Sequence, residues 1–203
     1  LRLTKEFIDY FRPKIKELND LLSYNKIFIE RTANVGILKK DVAVNYGITG
    51  PMLRASGMKW DLRKDDPYSV YDKFDFDIPV GDGRMGTVGD SWDRYFVRVL
   101  EMEESLKIIE QAIAQIPEGD VTSAIPKRIK PPVGQVYSRV ENPRGELGYF
   151  IMSNGTPNPF RIKVRGPSFI NLAVINELCK DLLVADVITI LGSIDIVLGE
   201  VDR

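Results

Sequence analysis

No histidine occurs among the 203 residues of this chain, and the only cysteine is Cys179. Without histidine, neither Ser-His-Asp nor Cys-His machinery can be assembled from it. With a single cysteine as well, the zinc, haem and iron–sulfur ligand sets fall away. An oxygen-only Mg or Ca site stays open, although no Asp/Glu run has the spacing of a calcium loop. One cysteine also excludes an internal disulfide and fits a reducing compartment. Charge of one sign is scarce too: 28 Lys and Arg face 29 Asp and Glu, for a net charge of -1. Basic residues are spread along the chain, so there is no basic field with which to hold nucleic acid. The longest apolar run, Leu182 to Leu191, is interrupted by Asp186 and falls well short of the ~20 residues a membrane span needs. The opening Leu1-Arg2-Leu3-Thr4-Lys5-Glu6 is charged and helix-like, which is not the pattern of a signal peptide. It also lacks an initiator Met, as a fragment or a processed chain would.

What is present reads as a globular protein, with 44% hydrophobic and 28% charged residues. Residues 4–24 carry apolar side chains at Phe7, Phe11, Ile15, Leu18 and Leu22, the spacing of an amphipathic helix. Thr4 is its expected cap, and Pro13 is expected to kink or restart it near Tyr10. Short helices are expected at Asp41–Tyr46, stopped by Gly47, and at Gly50–Ser56, capped by Thr49 and closed by Gly57. Arg54 sits in the second among small residues that would let a partner approach its guanidinium. Residues 58–90 are loop-rich, and their aromatic side chains favour packing over a core. Gly81-Asp-Gly-Arg-Met-Gly86 has the glycine spacing of a dinucleotide fingerprint without its strand and helix, and reads as a mobile turn.

Ser91 to Ile116 holds a helical period from Trp92 through Ile116 for about seven turns. Arg98, Glu101, Glu104, Lys107 and Glu110 are expected on its solvated or subunit-facing side. Pro117 to Val133 is a Pro- and Lys-rich connection. Three strands are expected at Gln135–Glu141, Glu146–Ser153 and Phe160–Val164, forming a small antiparallel sheet. Ser168 is expected to cap a helix presenting Phe169, Leu172, Ile175, Cys179 and Leu182, and Asp186 to cap a last one at Val187–Leu191. The tail, Gly192 to Arg203, mixes apolar Ile194, Ile196, Val197 and Leu198 with Asp195, Glu200 and Asp202. Buried carboxylates need partners, so the tail is expected to be docked with its carboxylates paired. The fold class is α+β, mainly α: residues 1–133 helical, 134–166 the sheet, 167–203 helices and docked tail.

Several stretches resemble one family. They are Gly50-Pro-Met-Leu-Arg-Ala-Ser-Gly57, Trp60-Asp-Leu-Arg-Lys64, Pro67-Tyr68, Tyr71-Asp72, Phe74-Asp75, Asp93-Arg94-Tyr95, Val97-Arg98 and Glu101-Met102. Arg144-Gly-Glu-Leu-Gly-Tyr149, Arg165-Gly-Pro-Ser-Phe169, Asn171-Leu172 and Asp195-Ile-Val-Leu-Gly-Glu-Val-Asp-Arg203 belong with them. Together they resemble the D subunit family of respiratory complex I, the NADH-quinone oxidoreductase, over nearly the whole chain, which looks like the C-terminal half of such a subunit. The family is itself similar to the large subunit of nickel–iron hydrogenases, implying a hydrogenase-like helical core. Glu141-Asn-Pro-Arg-Gly145 matches a hydrogenase motif beside the active site, with Asn142 in place of Ala. In the tail, Val197 and Glu200 stand where that family has two metal-binding cysteines, and Arg203 where it has a histidine. These replacements do not suit a soft nickel–iron centre.

The resemblance implies that the old metal cavity is a quinone cavity, and that this chain walls it with Arg144, Asp195, Asp202 and Arg203, joined by Arg54 and Phe169. Alternatively, these residues simply hold the terminus. No cofactor is expected on this chain. Quinone is the implied substrate, and NADH, flavin and iron–sulfur clusters belong to partner subunits, among them the iron–sulfur subunit next to the quinone site. The membrane arm is a further implied partner, and the implied location is peripheral, on the cytoplasmic face of the plasma membrane. The family's quinone-headgroup His and Tyr lie in its N-terminal half. The connection 117–133 is shorter than in many complex I homologues. Related membrane dehydrogenases using ferredoxin or a reduced deazaflavin share that trait and supply an alternative reading, as does a purely structural scaffold.

Overall fold

In the computed structural model, residues 1–202 are described. The first amphipathic stretch forms α1 (Arg2–Leu18), which runs through Pro13 without a break and continues into a π-helical turn at Asn19–Ser23. Its most buried residues are Ile8 and Ile15, whereas Phe7 is half exposed and stacks on Phe11. Leu1, not Thr4, occupies the cap position. Short helices follow at α2 (Lys26–Thr32), α3 (Lys40–Asn45), α4 (Pro51–Ala55) and α5 (Leu62–Asp65), the second and third close to their expected places.

The long helix α6 (Ser91–Gln115) starts where Asp90 accepts the backbone N–H of Asp93 at 2.9 Å. Trp92, Phe96, Val99 and Leu106 form one core with Ile8 and Ile15 of α1. A second core joins Leu38, Ile48, Met52 and Leu53 to Val174, Leu178, Ile190 and Ile194. A smaller one collects Phe74, Phe76 and Ile78, so the aromatic loop does pack inward. The glycine-rich turn at 81–86 is pinned rather than loose. Asp93 accepts from the N–H groups of Gly83 and Gly89, and Asp90 accepts from those of Asn34 and Thr87.

The three expected strands form an antiparallel sheet in the order β1 (Gly134–Asn142), β2 (Gly145–Ser153), β3 (Arg161–Arg165). Asn142 pairs with Gly145 across a two-residue turn, and Gly148 pairs with Arg165. The root of the hairpin is buried against α4, while the far end of β1 is exposed. Gly50 (φ 69°) and Gly145 (φ 133°) meet backbone to backbone, and a Cβ on either would collide with the other segment. Both glycines are therefore required by left-handed backbone as well as by space. Thr49 does not cap α4. Its hydroxyl accepts the N–H of Glu146 at 2.9 Å, tying the hairpin root to the helix start.

After the sheet, the expected single helix at 168–182 is two shorter ones, α7 (Pro167–Leu172) and α8 (Ile175–Leu178). Ser168 is inside α7, and its hydroxyl and N–H both bind Glu200. The last long helix, α9 (Val184–Ile194), starts earlier than expected. Asp186 is its third residue, reaching back to the N–H of Leu183 at 3.3 Å and outward to Arg31 at 2.8 Å. The tail then forms α10 (Leu198–Asp202). Among the described residues, no helix is long and apolar enough to cross a membrane.

Candidate functional site

Three arginines converge on the C-terminal end of α9. Such an end carries unsatisfied carbonyls and partial negative charge, which cations complement. Arg98 of α6 donates from Nη1 to Ser193 O at 2.9 Å and from Nη2 to Ile194 O at 3.0 Å. Arg94, one turn earlier and fully buried, donates to the hydroxyl of Ser193 at 2.9 Å. Arg144, in the β1–β2 turn, donates to Asp195 O at 3.2 Å. Asp195 closes α9 in left-handed backbone (φ 58°). Its carboxylate pairs with Arg144 at 3.2 Å and with Arg98 at 3.5 Å. Burial lowers the Arg98 pKa, and the charge of Asp195 opposes that shift.

The other end of the same hairpin segment enters a denser cluster. Arg54 is 1% exposed and contacts Glu101 at 2.6 Å, Glu141 at 2.9 Å and Asp61 at 3.2 Å. Arg63 holds Asp61 from its other side at 2.6 Å. Burial disfavours the charge on Asp61, yet the hydrogen bonds from Arg63 and the nearby arginine charges outweigh it and lower the carboxyl below its ordinary value. At Glu141 the balance runs the other way: burial raises the carboxyl, and Arg54 offsets this only in part.

Cavities flank these groups. One of about 550 Å³ is lined by Asn142, Arg144, Leu147, Tyr149, Val197 and Glu200, together with Val164 and Gly199. Another, of about 280 Å³, is mostly apolar, with Phe7, Phe11 and Leu106 facing Arg98, Glu101 and Asp195. A third, of about 270 Å³, is polar and walled by Arg54, Arg63, Tyr71, Glu101, Glu141 and Asn142, with Ser105 and Pro143.

The profile of the family described as "Respiratory-chain NADH dehydrogenase, 49 Kd subunit" matches residues 1–132 and 122–203. The chain belongs to this family. Its similar relatives include the D subunit of the NADH-quinone oxidoreductase of Chlorobaculum tepidum, 57% identical over 98% of this chain and 50% of the relative. A corresponding D subunit of Cytophaga hutchinsonii is 56% identical over 98% of the chain and 53% of the relative. That of Chlorobium chlorochromatii is 54% identical over 100% and 52%. The chain thus spans about half the length of the curated relatives it matches.

Within this family member, the residues expected to wall a site fall into distinct places. Arg144 and Asp195 meet directly. Arg54 is not solvated but is the centre of the neighbouring cluster. Phe169 is half exposed on α7 and lies outside the walls of the three cavities. Asp202 is exposed in α10, and Arg203 lies outside the described residues. The tail is docked on α7: Ile194 is fully buried, and Ser168 binds both the N–H of Val197 and the carboxylate of Glu200, although Val197 and Leu198 stay exposed and α10 has no buried residue. Val197 and Glu200, the positions aligned with hydrogenase metal ligands, line the largest of these cavities beside Arg144. Glu200 is engaged by Ser168 and Val197 offers no donor atom, so this pair does not fit a metal centre.

Sequence reasoning missed Arg98, Asp61, Arg63 and Glu101 as partners. Arg98 and Glu101 were expected on a solvated or subunit-facing helix face. Instead α6 is packed on several sides, by α1, α4 and α9, so the face between its apolar stripes turns inward. The signal that could have found them is the pair of charges one turn apart, Arg94 and Arg98, beside the buried Trp92 and Phe96.

Proposed function

We propose that this chain is part of an NADH-quinone oxidoreductase and helps wall its quinone cavity, with Arg144, held from behind by Asp195, at the cavity's charged end. Membership of the 49 kDa subunit family and the names of the relatives support the oxidoreductase and the NADH donor over a ferredoxin or deazaflavin donor. The observation that carries the site is the cavity of about 550 Å³ formed by Arg144, Tyr149, Val197 and Glu200. Its volume lies within the range of small-molecule sites, roughly 300–1,000 Å³.

In this reading, NADH, flavin and iron–sulfur clusters reside in partner subunits, the iron–sulfur subunit lies next to the quinone, and a membrane arm couples the reaction to proton translocation. The assembly sits peripherally on the cytoplasmic face of the membrane. Quinone reduction takes two electrons and two protons. Electron addition places negative charge on a carbonyl oxygen before protonation is complete. Arg98 and Arg144 share the single carboxylate of Asp195. Arg144 also lines the cavity, opposite the Ser168-bound carboxylate of Glu200, so its guanidinium is a cationic donor fixed in advance where the negative charge develops, the arrangement that lowers such barriers.

The test is Asp195→Asn and Arg144→Met in the assembled enzyme. Quinone reduction is expected to fall about tenfold or more, while NADH oxidation by a hydrophilic artificial acceptor stays unchanged. Full quinone reduction in an intact assembly would remove the pair from the site.

A further inference from the structure

The Arg54 cluster has more carboxylates than it has cations. Arg54 contacts Asp61, Glu101 and Glu141, Arg63 contacts Asp61, and all five are at most one-fifth exposed at their side chains. The cluster at the end of α9 has the opposite imbalance, two arginines to one aspartate. The polar cavity at the Arg54 cluster shares Asn142 with the large tail cavity. It also shares Glu101, Ser105 and Pro143 with the cavity at Arg98 and Asp195. At about 270 Å³ it has room for several waters, each needing roughly 30 Å³.

We infer that the Glu141 carboxyl, inside this inner cluster, holds a proton and delivers it across the polar cavity, past Glu101, to the substrate reduced beside Arg144 and Asp195. The inference rests on the quinone reading above. Four observations favour Glu141 as the proton holder among the three carboxylates. It faces Arg54 of α4, Asp61 and Arg63 at the start of α5, and Glu101 of α6. Asp61 is held ionised by two arginines, whereas Glu141 is reached by Arg54 alone. Its second oxygen accepts only a long bond, 3.3 Å, from the N–H of Leu62. Its burial favours the neutral form.

In the step, one-electron iron–sulfur donors of partner subunits supply two electrons to the quinone. The O–H bond of Glu141 breaks, leaving a carboxylate held by Arg54, and an O–H bond forms on the reduced quinone oxygen by relay through water. The second proton comes from solvent, and solvent reprotonates Glu141 through the same cavity. A proton donor must be protonated to act, so activity should fall as pH rises through the pKa of the cluster.

The experiment uses the assembled complex with a soluble short-chain quinone. Glu141→Gln is expected to lower kcat about tenfold or more with KM within about twofold, to change the solvent deuterium isotope effect on kcat, and to abolish the alkaline limb of the pH profile. An unchanged kcat, isotope effect and pH profile in an assembled Glu141→Gln enzyme would overturn the inference. If that variant fails to assemble, Glu101→Gln at the rim of the relay is decisive by the same three readouts. A normal Glu141→Gln enzyme beside an impaired Asp195→Asn enzyme sinks the relay alone. A normal Asp195→Asn enzyme sinks the quinone-wall reading itself.

Discussion

Among the described residues two arginines, Arg54 and Arg94, are wholly buried, and they are accommodated in opposite ways. Arg54 is surrounded by three carboxylates. Arg94 is surrounded by neutral acceptors: the carbonyls of Gly36 and Gly89 at 2.8 and 2.7 Å, and the hydroxyls of Ser91 and Ser193. Among the described residues no carboxylate forms an ion pair with Arg94, and burial pushes its pKa down to about 9, against the more distant charges of Asp90 and Asp93. The Arg54 pKa is instead raised, because Glu101, Glu141 and Asp61 more than offset its burial. The difference separates two tasks. Arg94 uses its fixed fork of donors to join the 36–38 loop, the start of α6 and the end of α9, so it serves architecture. Arg54 gathers titratable groups around a polar cavity, so its surroundings can change charge.

Arg54→Met tests that separation most severely. It strands the carboxylates of Glu101 and Glu141, leaves Asp61 to Arg63 alone, and should cost about 3–5 kcal/mol of stability at neutral pH. The loss should shrink on acidification, because protonating the stranded carboxylates relieves their repulsion. Denaturant unfolding at several pH values measures both. Arg94→Met should cost about 2–3 kcal/mol, the unsatisfied carbonyl and hydroxyl groups it leaves behind. None of those partners titrates, so this penalty should stay level across the carboxylate range. A pH-dependent Arg94→Met penalty would erase the contrast.

Asp61→Asn sharpens the comparison within the Arg54 cluster. The folded pKa of Asp61 is lowered, so its stabilising contribution is fully present above the ordinary Asp value. It is lost as pH falls through the depressed folded value. The substitution should remove about 1–2 kcal/mol at neutral pH and flatten the acid limb of stability against pH. The smallest effect belongs to the exposed connection, where Pro126→Ala should change stability by less than about 0.5 kcal/mol. A larger loss in thermal melts would mean that the connection is held more firmly than its exposure indicates.

Long periodic elements were legible from residue order alone. The helix expected at Ser91–Ile116 runs Ser91–Gln115, and the three strands fall within two residues of their expected ends. Both rest on hydrophobic repeats sustained over many residues. The break between α7 and α8 was not legible, because Leu172, Ile175 and Cys179 keep helical spacing across it. Asp186 was misplaced as a cap since a carboxylate at the third helical position also marks a helix start, by accepting the N–H of the cap residue, here Leu183. In the site, Arg144 and Asp195 were found through motif resemblance. Much of the remaining charge network was hidden because Arg54 reaches Glu101 and Glu141 across 47 and 87 positions, and a charged residue on a helix looks solvated until something packs over it.

The contact between Gly50 and Gly145 has a consequence for motion. Arg54 follows Gly50 by one helical turn, and Arg144 immediately precedes Gly145. With their backbones touching, helix and hairpin have a common pivot. A push on the exposed far end of the hairpin would tilt both guanidinium groups together. Two charge clusters built on different carboxylates would then be geared to one another at a point where neither has a side chain.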